Sequence, residues 1–124
     1  ALANAPVEVH GNGQQKRCFA DVRDIVDSLP KLLRSSDARG LPVNLGHDEP
    51  ITILALAELV REVLNSKSSI QILPYNEVWG RGFQDLQERI PDLGRARDLV
   101  SLSSSRPLAE TIRDLAESIR TEDS

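Results

Sequence analysis

The sequence predicts an α/β fold with an incomplete sheet, made of a few short strands and about four helices. Three observations carry that expectation. Short alternating or apolar runs, VEVH (7–10), LPVNLG (41–46) and SIQIL (69–73), read as strands. Other segments carry apolar residues at helical spacing. The two kinds interleave along the chain, which is the α/β pattern, yet the strands are too few for a complete doubly wound sheet.

Taken in order, residues 6–19 predict a hairpin. VEVH alternates, GNGQ supplies the turn and QKRCF leads outward; Asn12-Gly13 is a strong local turn signal because both residues tolerate positive φ. DIVDSLPKLLRSS then places Ile25, Val26, Leu29, Leu32 and Leu33 on one helical stripe, with Asp24 where an N-cap belongs. Pro30 inside that stripe removes a backbone donor, so the helix is expected to be bent or short. LPVNLG reads as a buried strand. TILALAELVREVL is the clearest helix, capped by Thr52 and burying Ile53, Leu56, Ala57, Val60 and Leu64. After the SIQIL strand, residues 74–91 hold three of the four aromatic residues and read as a long loop with a short turn. DLGRARDLV predicts a short helix capped by Asp92, and SLSSSRP a linker. LAETIRDLAESIR predicts a final amphipathic helix with Leu108, Ile112, Leu115 and Ile119 inward.

Composition bounds the function classes. The 124 residues fit one unit, expected over 1–120, with TEDS (121–124) as a disordered tail. The formal charge of −4 argues against broad nucleic-acid binding, although a local basic pocket for one small anion fits it. The single cysteine, Cys18, excludes an internal disulfide and a cysteine-rich zinc site, and makes the cytoplasm the default setting. No apolar run approaches the ~20 residues of a membrane span, so no membrane partner is expected. The first residue is not methionine, and the chain contains none, so it reads as a piece of a longer protein.

Two arginines stand out. Arg17 follows the glycine turn, and its planar fork suits phosphate oxygens; the competing reading is a solvated arginine on a hairpin. Arg89 lies at the entrance to a helix whose first-turn N–H groups favour anions. Asp92 either bonds a sugar hydroxyl or caps that helix. Both arginines border loops and could converge on one diphosphate, which periodicity alone does not decide. His10 and His47 lack partners at metal spacing, so no metal is expected. Cys18 reads either as a thiol activated beside Arg17 or as an inert one. Tyr75 has Trp79, not lysine, four residues on.

Four stretches together resemble the C-terminal part of the extended short-chain dehydrogenase/reductase superfamily, nearest in pattern to its nucleotide-sugar epimerases, dehydratases and decarboxylases. VEVHGNGQQKRCFADVRDIVDSL looks like the family's strand, G-x-G-x-Q-x-R-x-F turn and V-x-D helix start. LPVNLGHDEPITILALAELV is similar to its N-x-G strand and following helix. GRGFQDLQERIPDLGRARDLV resembles its R-x-P-D segment, and PLAETIRDLAESIR its closing helix. The four occur in the family's order and span nearly all of residues 5–120.

The resemblance implies the substrate-binding part of a Rossmann-type enzyme. It places the pyrophosphate of a UDP- or dTDP-sugar on Arg17, with Arg89 as the second phosphate ligand. Asp92 is implied to reach the ribose or the adjoining phosphate. Glu8, Val9 and His10 would line the nucleobase side, partly through backbone groups, and Thr52 falls near the nucleotide in some relatives. NAD is the cofactor implied for the full-length parent, which would be a homodimer. The family's glycine-rich NAD loop and its Y-x-x-x-K pair have no counterpart in these residues, so the chain alone is expected to be non-catalytic. The alternative is a stand-alone binding or interaction module of the same fold. One departure concerns the family's L-G-W-x-P, replaced here by VSLSSS (100–105).

Overall fold

A computed structural model of the chain describes residues 1–100, 102 and 105–122. Alternation makes Val7–His10 the first strand, β1, with Val9 only 1% exposed and Glu8 facing solvent. Its partner lies far along the chain: Ile70–Leu73, β4, runs parallel to it with Val7 opposite Ile70 and His10 opposite Leu73. The expected hairpin over 6–19 is therefore not formed. Lys16–Arg17, β2, belongs to a second, three-stranded sheet. There it lies between Ile51–Thr52 (β3, antiparallel) and Glu88–Arg89 (β5, parallel).

The glycine turn makes this change of sheet. Gly11 and Gly13 both take positive φ, +80° and +72°. Gly11 N–H donates to Leu73 O (2.7 Å), closing the first sheet. Gly13 O and Gln15 O then accept Leu54 N–H (3.0 Å) and Ile53 N–H (3.1 Å). With the turn carbonyls serving a helix N-terminus, its two arms part, one to β4 and the other to β3 and β5. The docking satisfies donors that a helix start otherwise leaves unpaired.

That helix, Ile53–Val63 (α2), starts as expected: Thr52 Oγ1 accepts Ala55 N–H at 3.1 Å. Ala57 is buried, and Ile53, Leu56, Val60 and Leu64 are half-buried. The last helix, Leu108–Glu122 (α5), lies against α2. Its inward face is narrower than its apolar spacing suggests. Ala116 is 4% exposed, whereas Leu115 and Ile119 are 60% and 40% exposed. Thr121 and Glu122 belong to this helix rather than to a disordered tail, because the helical hydrogen bonding runs on past Arg120; Asp123 and Ser124 lie outside the described residues.

Val22–Arg34 forms α1, which runs through Pro30 and is not cut short. Its cap is Asp21, not Asp24. The Asp21 carboxylate accepts Arg23 N–H (2.8 Å) and also holds the Arg23 guanidinium and Thr111 Oγ1 of α5. Asp24, one turn in, instead pairs with Arg106 ahead of α5. Ile25 and Leu32 are half-buried, but Val22, Val26, Leu29 and Leu33 form a stripe that is 52–88% exposed.

Residues 41–46 are not a strand. Pro42 cannot donate to a ladder, no described strand lies alongside, and Leu41 is 48% exposed. Side chains tether the segment instead: Arg95 Nη1 donates to Pro42 O, and Asn44 Nδ2 donates to Asp92 O at 3.1 Å. The stretch 74–91 holds more structure than a loop, with a one-turn helix, Tyr75–Val78 (α3), and strand β5. Gly94–Leu99 forms α4; its cap residue Leu93 and its Ala96 complete the small aliphatic core with Val9, Ala57, Val100 and Ala116. Of the expected linker 101–107, Ser101, Ser103 and Ser104 lie outside the described residues.

Candidate functional site

The three-stranded sheet brings the two singled-out arginines together. In register, Arg17 of β2 stands opposite Arg89 of β5, although 72 residues separate them. Parallel neighbours in register project to the same face, with strands about 4.8 Å apart. On the opposite face Lys16 stands between Thr52 and Glu88, and its Nζ is neutralised by Glu88 Oε1 at 2.7 Å. The arginine face carries two guanidiniums, of which Arg17 is paired with Asp85 and Arg89 makes no ion pair among the described residues.

The two arginines differ in their surroundings. Arg17 is half-buried: Nη1 donates to Lys16 O (2.7 Å) and Nη2 pairs with Asp85 Oδ2 (2.6 Å). The same Asp85 oxygen accepts Tyr75 Oη at 3.1 Å. Arg89 is exposed and makes no ion pair among the described residues. Burial first, and the bond to Asp85 second, push the Tyr75 phenol above its ordinary pKa, so it stays a donor at neutral pH.

Gly11 explains why Tyr75 sits there. A Cβ at Gly11 would come within 2.5 Å of Tyr75 Cε2 and Cζ, so the ring lies directly against the turn. A Cβ at Gly13 would meet Leu54 Cβ at 2.9 Å. The glycine spacing of the turn therefore serves two packings, an aromatic ring and a helix start. Between them Gln15 is 5% exposed and donates from Nε2 to His10 O at 2.9 Å, which ties β1 to β2.

The remaining expected residues are spread around this centre. Thr52 shares the sheet, with its hydroxyl oxygen engaged in capping α2. Asp92 lies three residues beyond β5; its carboxylate accepts Gly94 N–H at 2.8 Å, serving the start of α4 from one position before the cap residue Leu93. Glu8, Val9 and His10 lie on β1, in the other sheet. Val9 is buried, so only its backbone can meet a ligand. Glu8 Oε2 is 3.6 Å from His10 Nε2, and the His10 ring meets Trp79 edge-on with centroids 6.0 Å apart. Cys18 is not activated: burial, and then the Asp48 charge, raise its pKa. Among the described residues no cluster of three metal-ligating side chains occurs, and no helix is long and apolar enough to cross a membrane.

Asp85 and Tyr75 are the site residues that sequence reading missed. The Arg17–Asp85 pair spans 68 residues and lies between a two-residue strand and an irregular segment, where no periodicity operates. The only local sign is the glycine at 11, whose missing side chain leaves room for a ring without saying which.

Comparison with known proteins bears on the fold and the family. No protein-family model matches the chain. It is 37% identical over 110 residues to UDP-glucuronic acid decarboxylase 1 of Danio rerio, covering 89% of this chain and 24% of that protein. It is 27% identical over 117 residues to the UDP-N-acetyl-alpha-D-glucosaminuronate decarboxylase of Bacillus cytotoxicus, covering 91% and 36%. Among solved structures, a UDP-glucose 4-epimerase from Thermotoga maritima with UDP-glucose has a TM-score of 0.84 at 20% identity, covering 99% of this chain and 37% of that one. A UDP-glucuronic acid 4-epimerase from Bacillus cereus with UDP-glucuronic acid and NAD has a TM-score of 0.81 at 20% identity, covering 97% and 37%. The chain spans about a quarter to a third of the length of these proteins.

Proposed function

We propose, from the premise that the chain belongs to the extended short-chain dehydrogenase/reductase family of nucleotide-sugar decarboxylases and epimerases, that it supplies the grip on the diphosphate of a UDP- or dTDP-sugar. The observation that carries this reading is the register pairing of Arg17 with Arg89. Two guanidiniums on one sheet face offer paired forks to two linked phosphates. We assign His10 and the backbone of β1 to the nucleobase side and Asp92 to a flank, whereas Thr52 projects with Lys16 from the opposite face of the sheet and serves the start of α2.

NAD is assigned to the full-length parent and not to these residues. Among the described residues no strand leads through a glycine-rich turn directly into a helix, and Tyr75 has tryptophan four residues on, so these side chains do not fit a nicotinamide site. What this chain does for catalysis is to hold the non-reacting end of the substrate. Binding energy realised there orients the sugar toward the reacting groups. The exposed Val22, Val26, Leu29 and Leu33 stripe of α1 supports an association with further protein, which we assign to the parent's NAD-binding half. The parent is read as a homodimer, and single-cysteine usage supports a cytoplasmic setting.

Steady-state kinetics of the full-length protein test the reading. Arg17→Ala and Arg89→Ala are each expected to raise KM for a UDP-sugar roughly tenfold or more, since each removes a charged hydrogen bond. Unchanged kinetics in both variants would sink the assignment.

A further inference from the structure

Arg17, the proposed diphosphate ligand, already holds an anion. Its Nη2 lies 2.6 Å from Asp85 Oδ2, with the two side chains 19% and 23% exposed. The partner arginine, Arg89, is open to solvent. The site as built is therefore asymmetric, with one guanidinium satisfied from within and one waiting.

The segment that brings Asp85 to Arg17 is held by little else. From residue 74 to residue 90 no side chain is buried, and from 79 to 90 Asp85 alone is not exposed. Its ring contacts, Tyr75 with Phe83 (centroids 5.3 Å apart), Trp79 with Phe83 (5.6 Å) and Trp79 edge-on with His10 of β1 (6.0 Å), lie near the surface, where Trp79 is 59% and Phe83 45% exposed. Besides the β5 ladder with its exposed Lys16–Glu88 pair and the packing of the Tyr75 ring against Gly11, the segment is pinned by the Asp85 carboxylate, which takes both the Arg17 guanidinium and the Tyr75 hydroxyl on one oxygen. Elements with few buried apolar contacts are those that rearrange most readily.

We propose that Asp85 is an internal counter-anion for Arg17, displaced when a nucleotide diphosphate binds. The proposal rests on the diphosphate reading above. Without ligand, the carboxylate satisfies the half-buried guanidinium and keeps it aimed, sparing it the cost of an uncompensated charge. An incoming diphosphate offers more negative charge and several acceptor oxygens to the same fork, and it engages Arg89 as well. It therefore takes over Arg17, while a carboxylate left in place would repel it. Asp85 is then released with its segment, and Tyr75 loses its acceptor. The exchange makes affinity depend on ligand charge: a neutral nucleoside cannot displace Asp85, a monophosphate displaces it weakly, and a diphosphate fully.

Calorimetric titration of the full-length protein with uridine, UMP and UDP at fixed ionic strength tests this. Asp85→Asn removes the charge and keeps the shape. It is expected to tighten UDP binding by about three- to tenfold, the range of a largely buried but solvent-touched ion pair, UMP by less, and uridine not at all. Tyr75→Phe frees Asp85 from its second donor and should tighten UDP in the same direction by a smaller factor, which keeps the test open if Asp85→Asn does not fold. A purely supporting role for Asp85 predicts the opposite sign, weaker UDP binding in both variants; that result, or no change, overturns the proposal. Arg17→Ala separates the two readings. If it weakens UDP while Asp85→Asn does not tighten it, the diphosphate site stands and the counter-anion falls. If Arg17→Ala leaves UDP binding unchanged, both fall.

Discussion

Gly11 is the glycine at which one added carbon comes nearest to a neighbouring side chain. Its φ of +80° is disfavoured for a side chain, and a Cβ would stand 2.5 Å from the Tyr75 ring. Gly11→Ala is therefore expected to destabilise the fold by about 1–3 kcal/mol, seen as a lowered denaturation midpoint. The sequence made the turn legible but not its purpose. Asn-Gly with glycine at 11 predicts a reversal, and locally a hairpin is its commonest result. What overrules that result is the pairing of β1 with β4 and of β2 with β5, contacts more than 60 residues apart. Asp85 was hidden for the same reason, since an acidic residue in an irregular segment carries no local pattern.

At the scale of elements, what could be read depended on how local the forces are. Helix α2 was legible from cap to stripe because Thr52 and the apolar spacing lie within one stretch of chain. Strand β5 was not, because two residues carry no period and its existence depends on β2. Helix α1 lies between these cases: its stripe was visible, but its cap was placed three residues late, since Asp21 is fixed by Arg23 and by Thr111 of α5 together. The Arg23 guanidinium first, with the Arg23 N–H and Thr111 hydroxyl, holds the Asp21 carboxyl well below the usual range. A depressed folded-state pKa means stability that is fully present above the unfolded value, about 3.9, and is lost as pH falls through the folded one. Chemical denaturation between pH 2 and pH 6 should show stability falling below about pH 4. Asp21→Asn should be less stable at pH 6 and flatter across that interval. An identical slope in the variant would show that other carboxylates dominate.

At the scale of the molecule, the described residues form two small sheets and five α-helices around a thin core of small aliphatic residues. Fold class and family were legible because four stretches in order are a whole-chain signal, one that tolerates errors in any single element. The face on which β2 and β5 align Arg17 with Arg89 was suggested by resemblance and became geometric only with the register. Groups that act on one ligand from adjacent strands do not contribute independently. The central claim, a shared diphosphate grip, is therefore met most directly by a double-mutant cycle on UDP affinity in the full-length protein, using Arg17→Ala, Arg89→Ala and the double variant. Each single variant is expected to lose roughly tenfold or more in affinity, with a coupling energy of at least about 0.5 kcal/mol between them. Losses that add without coupling, or affinity that survives both substitutions, would contradict it.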